Sequence, residues 1–251
     1  TLAANQLLTV GLTMSGGAKD VLVRAAGPGL GALGVPGTMA DPKLALFNGS
    51  AQVAANDNWG TPAGNVASVS AAMAAVGAFP FASSQSLDAA LVTLIDGGRT
   101  VQVSGPAAGN LIVETYDAGA GNSPRLTNLS ALNFVGTGGD VLIAGFTVAG
   151  TGTKNLLIRA AGPSLGALGL GGTIVDPKLV LRSSNQAVVG ENDTYSAAHT
   201  GIFTSVGAFG FVAGAKDAAL MVSLPPGGYT VTVSGADGGT GLAIVEVYEL
   251  P

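Results

Sequence analysis

The chain has 251 residues, room for one large domain or two of ordinary size. Charged residues make up only 10% of it, Gly contributes 40 residues and the formal net charge is -5, so no Lys/Arg cluster exists to neutralise a run of phosphates and a nucleic-acid partner is excluded. Cysteine is absent, which excludes disulfides, thiolate metal sites and cysteine nucleophiles.

Mean hydropathy is positive, yet Gly, Ser, Asp and Asn break every apolar stretch before the roughly 18 residues of a membrane span. The first residue is Thr1 rather than Met, as expected of a trimmed or mature form. From there, short runs rich in Val, Ile, Leu and Thr alternate with Gly, Pro, Asn and Asp clusters at the spacing of β-sandwiches and barrels.

Residues 24–46 read RAAGPGLGALGVPGTMADPKLAL, and RAAGPSLGALGLGGTIVDPKLVL returns at 159–181. Gly29, Gly31 and Gly34 spell the barest form of a dinucleotide-binding loop, which needs a helix directly behind it to hold a pyrophosphate. Here VPG follows, and Ser164 replaces the first glycine in the second copy. The phrase is therefore expected to be scaffold: a strand end, a Gly-rich crossover and a strand opened by Asp-Pro, with Pro42 and Pro177 at an edge or first position.

Arg24 and Arg159 lie in strongly apolar strands, as do Glu114 and Glu246. A charge in such a strand is costly unless paired, which suggests one Arg–Glu ion pair per copy, with Asp88 and Asp217 as competing partners, against the equally open reading that each charge points to solvent. Asn56, Asp57 and Asn58 match Asn192 and Asp193. With the DPK aspartates they make Asp41, Asp57, Asp176 and Asp193 weak calcium candidates, against the plainer reading as Asx turns. Trp59 and Tyr195 follow at matching places, candidates for contacting a polysaccharide or for plugging the end of a sandwich core.

Residues 66–76 are Ala-rich with apolar side chains near helical spacing and predict a short covering turn; the counterpart HTGIFTSV is a poorer helix former. At 100–104, TVQVS puts Val101 and Val103 on one face of a strand, and TVTVS at 230–234 repeats the pattern. His199 is the only histidine, which excludes histidine-based metal sites, and no GxSxG nucleophile elbow is present.

The halves match well beyond the quoted phrase: VGAFPF answers VGAFGF, DAALVTLIDGGRTVQVSG answers DAALMVSLPPGGYTVTVSG, and LIVETYD answers AIVEVYE. Gly, Asn, Ser and Pro coincide at 117–127, a boundary signal. After it NLSALNFVGTGG supplies a strand-like stretch to the second copy that the first does not have. The first copy is thus expected to lack its opening strand.

The second copy, from NLSALNFVGTGG through VLIAGF, LLIRAAGPSL, DPKLVL, NDTY, VGAF and SLPPGGYTVTVSG to VEVYELP, resembles a repeat of large secreted and surface proteins of environmental bacteria. The first resembles it from about Leu7 onward and departs at IDGGRT, where the repeat has a Pro-Pro-Gly turn. The latter half of each copy is similar, more loosely, to bacterial pre-peptidase C-terminal domains, jelly-roll sandwiches accessory to secreted enzymes. The resemblance implies an extracellular β-sandwich and brings no established catalytic residues.

The expectation is an all-β chain of two tandem jelly-roll-like antiparallel β-sandwich domains, 1–120 and 121–251. Sparse charge and an open sheet edge point to a non-enzymatic extracellular structural protein: a self-assembling fibre or envelope subunit at the cell surface, joined to copies of itself by strand complementation. Candidate donors are Asn128, Leu129, Ser130, Ala131, Leu132, Asn133 and Phe134, or the N-terminal TLAANQLLTV. The alternative is a carbohydrate- or calcium-dependent adhesive module of a secreted protein. No cofactor other than calcium is expected, and no membrane span.

Overall fold

Val, Ile, Leu and Thr extend the backbone because such side chains pack well on a pleated, half-buried surface. In the computed structural model, which describes residues 1–251, they build an all-β chain that divides into two compact units, Thr1–Thr127 and Asn128–Pro251. The expected division after residue 120 falls inside the first unit because Lys19 ties the next loop to it. Its Nζ donates to Asp117 Oδ2 (2.8 Å) and to the carbonyls of Gly121 (2.6 Å) and Pro124 (2.8 Å). No helix is long and apolar enough to cross a membrane.

The first unit runs β1 (Leu8–Ala26), α1 (Pro28–Gly31), β2 (Lys43–Asn48), β3 (Ala51–Asn56), α2 (Ala63–Val76), β4 (Ala89–Ser104) and β5 (Ile112–Asp117). β1 and β4 pair antiparallel along their length, with a register break between Met14 and Lys19. Gly16 and Gly17 sit in that break at φ 91° and 117°, values open to glycine and strained for other residues. Before the break β1 and β4 continue into β2 and β3; beyond it β5 joins on the far side of β1.

The second unit takes in β6 (Arg125–Val135) from Asn128 onward, then β7 (Leu142–Val148), β8 (Lys154–Ala161), α3 (Pro163–Gly166), β9 (Pro177–Ser183), β10 (Val188–Asn192), a 3₁₀ turn (Ala197–His199), α4 (Thr200–Ser205), β11 (Ala218–Leu224), β12 (Gly227–Gly235) and β13 (Gly241–Glu249). Its strands form two four-stranded antiparallel sheets, β11-β8-β13-β6 and β10-β9-β12-β7. That is the strand order of a jelly roll. Each long strand of the first unit corresponds to two strands here. Pro225 and Pro226 separate β11 from β12 because proline lacks the N–H a ladder needs, whereas IDGGRT lets β4 run on unbroken.

Alternation sorts the side chains. Val101, Val103, Val231 and Val233 are fully buried, as the TVxVS pattern predicts. The β8 sheet is covered on both faces, by the sandwich core through Ile158 and Ala160 and by a second cluster around Leu157, Ala161, Phe203 and Phe211. In the first unit α2 supplies that outer cover: Val69 and Met73 pack on Leu22, Ala26, Trp59 and Phe81. A strand buried on both faces reads as a continuous apolar run, hence VLVRAA and LLIRAA. The expected short covering turn is thus a full 14-residue helix in the first unit, stopped by Gly77 in the left-handed conformation (φ 71°). Its counterpart is the 3₁₀ turn plus six-residue α4.

Candidate functional site

The buried charges of the two apolar sheets lie directly opposite one another. Arg24 on β1 faces Glu114 on β5, and Arg159 on β8 faces Glu246 on β13. Arg159 donates from Nε (2.9 Å) and Nη2 (2.6 Å) to Glu246 Oε2 and from Nη1 to the Phe209 carbonyl (2.6 Å). Arg24 donates from Nε to Glu114 Oε2 (2.8 Å) and from Nη1 to the Phe79 carbonyl (2.7 Å). Its Nη2 stands 2.8 Å from the same carboxylate oxygen without hydrogen-bond alignment.

Aromatic faces complete each cage. The Arg24 guanidinium lies 4.1 Å from the Phe79 ring centre and 4.7 Å from that of Phe81; Arg159 lies 4.2–4.6 Å from those of Phe203, Phe209 and Phe211. Such faces attract a desolvated cation. Two residues along the same strand face, Tyr116 donates to Glu114 Oε1 (2.5 Å) and Tyr248 to Glu246 Oε1 (2.6 Å). Burial and the neighbouring carboxylate push both phenols well above their ordinary pKa. The sequence carries this partnership as ETY and EVY, an i, i+2 spacing that a pairing of opposite charges alone does not pick out.

Asp88 and Asp217 are not the arginines' partners. Each buried carboxylate turns into the Gly-rich phrase: Asp88 accepts the N–H groups of Gly27 (2.8 Å) and Gly29 (3.0 Å), and Asp217 those of Gly162 (2.9 Å) and Ser164 (3.2 Å). The backbone donors that a dinucleotide loop offers to phosphate are therefore taken by the protein's own carboxylate. Ser164 adds its hydroxyl to Asp217, and Ser86 does the same for Asp88, so the glycine at position 29 is offset by a serine elsewhere. Gly27 and Gly162 are needed for close approach: a Cβ would meet the Met39 or Ile174 carbonyl oxygen at 2.2 Å.

Trp59 is buried, packs on Phe81 and donates Nε1–H to the Ser83 carbonyl (3.0 Å). Tyr195 is half-buried against Phe203 and Phe211, with its hydroxyl on the Val212 carbonyl. Both fill the end of a core, and Trp59 presents no ring face for a sugar. Asp176 binds Lys216, whose pKa this bond raises. In the first unit Leu87 stands where Lys216 would, and Asp41 Oδ1 and Asn58 Oδ1 are buried without a hydrogen-bond partner. No three Asp, Glu, His or Cys side chains converge as metal ligands, so the calcium candidates Asp41, Asp57, Asp176 and Asp193 are not drawn together into one site.

What distinguishes the units is the edge beside the ion pair. In the second unit β13 lies between β8 and β6, with Asn128 opposite Tyr248 and Val135 opposite Gly241. In the first, β5 pairs with β1 alone, so one of its two rows of backbone donors and acceptors has no ladder. Side-chain exposure follows. Ala243 and Val245 are fully buried, while their counterparts Leu111 and Val113 are only half-buried and Ile112 is 41% exposed. Glu246 is 5% exposed and Glu114 15%.

Both candidate donors are engaged within their own units. Asn128–Phe134 lie in β6 on β13. Of TLAANQLLTV, residues 8–10 belong to β1, and Leu2 is buried and exchanges both backbone hydrogen bonds with Gly109 (3.0 Å each). Leu2 thereby holds the place that Val135 holds opposite Gly241 in the second unit. The N-terminal segment is thus held within its own unit, with Leu2 and Val10 buried there. Sequence reasoning named donors and missed β5, whose pairing on one side only depends on strands distant in the chain.

No model of a protein family and no curated protein matches this chain. Among solved structures the chain is similar, at 8% identity over 99% of its length and 90% of the other, to one described as the crystal structure of PBCV-1 VP54 fitted into a cryo-EM reconstruction of the virophage Sputnik. The TM-score is 0.18, far below that of a shared fold.

Proposed function

We propose that this chain is a non-enzymatic structural protein of an extracellular or cell-surface assembly, joined to neighbouring chains by strand addition at β5. The observation that carries the reading is the contrast between two equivalent strands of one chain, β13 covered on both sides and β5 on one. An uncovered edge of this kind templates pairing with a further strand, and a contact between unlike surfaces builds a ring where its rotation closes and a filament where it does not. The low charge of the chain opposes such association only weakly. The most deeply buried charged groups, Arg24, Arg159, Asp88, Asp217 and Glu246, are engaged with one another or with the backbone, which suits a scaffold.

The test is negative-stain microscopy and size-exclusion chromatography of the protein isolated from the cells that make it, beside Val113→Lys. A lysine pointing inward from an edge strand blocks pairing. Filaments or sheets that the substitution disperses are expected; a protein that stays monomeric at high concentration overturns the proposal.

A further inference from the structure

We propose that a second copy of this chain docks on β4, strand against strand about a twofold axis beside Thr93. This contact is separate from the β5 edge, because β1 lies between β4 and β5. In the second unit the segment that leads into the copy, β6, joins the sheet at β13, with β8 between it and β11. By that template the chain ahead of Thr1 has its place away from β4. Past β5 the chain turns to Lys19 through Gly121 and Pro124.

The N-terminal half of β4 pairs with β1 alone, since β2 takes up its pairing only at Thr100. In that half Ala90 turns its backbone away from β1. Its N–H donates to Asn56 Oδ1 (3.0 Å) and its carbonyl accepts from Asn65 Nδ2 (3.0 Å), while the Asp88 carbonyl accepts the Trp59 N–H (2.8 Å). Alternation turns Val92 and Leu94 the same way, and no strand, loop or side chain meets their N–H and C=O groups. Beyond them the Asp96 carbonyl is taken by Arg99 Nη1 (2.8 Å). The edge is thus closed at Ala90 and Asp96 and open between.

A copy of the same strand fits this window. Set antiparallel about the axis, Val92 lies opposite the partner's Leu94 and Leu94 opposite the partner's Val92, so every open group gains a ladder bond. Ala90 then falls opposite the partner's Asp96, where both are already engaged. A slip of two residues either way sets an open residue against a closed one. Ala89–Ile95 reads AALVTLI, without the lysines, prolines or inward charges that blunt an edge and without like charges to oppose each other when the strand meets itself. Leu94, 64% exposed, gains cover from the partner's Val92. Both copies present the same surface, so the contact closes as a dimer.

Sedimentation of the protein, with and without Val113→Lys, is expected to show a dimer, and Leu94→Pro is expected to return the 24.3 kDa monomer. Proline there removes an outward N–H and leaves the ladder to β1 intact. The chain has no cysteine, so Thr93→Cys introduces a sole thiol, opposite the same position of the partner. A non-hydrogen-bonded pair of this kind has its Cα atoms about 4.5 Å apart, within disulfide range. The oxidant is dithiobis-nitrobenzoate at half an equivalent. One thiolate takes up a thionitrobenzoate and releases the other; the partner's thiolate then displaces it, so one protein disulfide and two thionitrobenzoates result. Cross-linking at least tenfold faster is expected for Thr93→Cys than for Val92→Cys or Leu94→Cys, whose thiols stand diagonally across the axis.

Fastest cross-linking for Val92→Cys or Leu94→Cys overturns the register. A dimer that survives Leu94→Pro and does not cross-link through Thr93→Cys overturns β4 as the contact. Association lost with Val113→Lys but kept with Leu94→Pro overturns it as well and leaves strand addition at β5 standing. A monomer in every form overturns both.

Discussion

Arg159 and Glu246 face each other across neighbouring strands, joined by two hydrogen bonds of 2.9 and 2.6 Å, and both are nearly sealed from solvent, at 0% and 5% side-chain exposure. Removing one partner strands the other charge in the interior, which costs roughly 3–5 kcal/mol. Arg159→Met is therefore expected to lower the denaturant midpoint of the second unit by that equivalent. Arg24→Met is expected to cost less, because Glu114 keeps some contact with water. Equal small losses in urea melts would show that neither pair is desolvated.

Asp217→Ala leaves two buried N–H groups and the Ser164 hydroxyl without their acceptor. Each orphaned group costs about 1–3 kcal/mol, so a loss of at least about 3 kcal/mol is expected, seen as a drop in Tm. Asp88→Ala is expected to behave alike through Gly27, Gly29 and Ser86.

Tyr116 and Tyr248 have pKa values raised in the folded protein, first by burial and then by their glutamates. The folded state favours the neutral phenol, whereas the unfolded chain releases its proton near about pH 10. This stabilisation is fully present below about pH 10 and is lost as pH rises above it. Urea midpoints are expected to fall through that alkaline range, and the double variant Tyr116→Phe, Tyr248→Phe is expected to show a flatter profile from a lower starting stability.

Trp59→Ala is expected to cost about 3–5 kcal/mol, the range for truncating a large buried aromatic, while Tyr195→Phe loses only its bond to the Val212 carbonyl, worth about 1 kcal/mol. Circular dichroism melts of the two variants test this order. Glycan-array binding that disappears in a fully folded Trp59→Ala protein would contradict the buried role.

Leu87→Lys places in the first unit the ammonium that Lys216 supplies to Asp176 in the second. Leu87 is 45% exposed, so the change removes little packing and offers a donor to Asp41, whose Oδ1 has none. A small rise in Tm is expected by calorimetry; a fall would show that the two loops differ in shape.

Much of this molecule is written in local patterns. Val101 and Val103 alternate with Gln102 because a strand has a period of two, and the tandem copies show in the repeated phrases themselves. Arg24 and Glu114 were legible as candidates for a pair, because an unpaired charge in an apolar strand is costly to bury, but the sequence left a solvent-facing arrangement equally open. The boundary was less legible, since the hold of Lys19 on Gly121 and Pro124 spans about a hundred residues of sequence and leaves no local mark.

Sequence alone determined the all-β class, from its strand periodicity, and the duplication, from its repeated phrases, and it named the residues of the ion pairs whose burial the structure decided. Only the tertiary structure decided what the Gly-rich phrase does, because its N–H groups meet Asp88 and Asp217, which lie just ahead of β4 and β11 and more than fifty residues away. The same holds for β5: the repeats can be aligned in the sequence, but which strand is paired on one side only depends on how distant strands pair, and that is settled only when the sheet closes around its core.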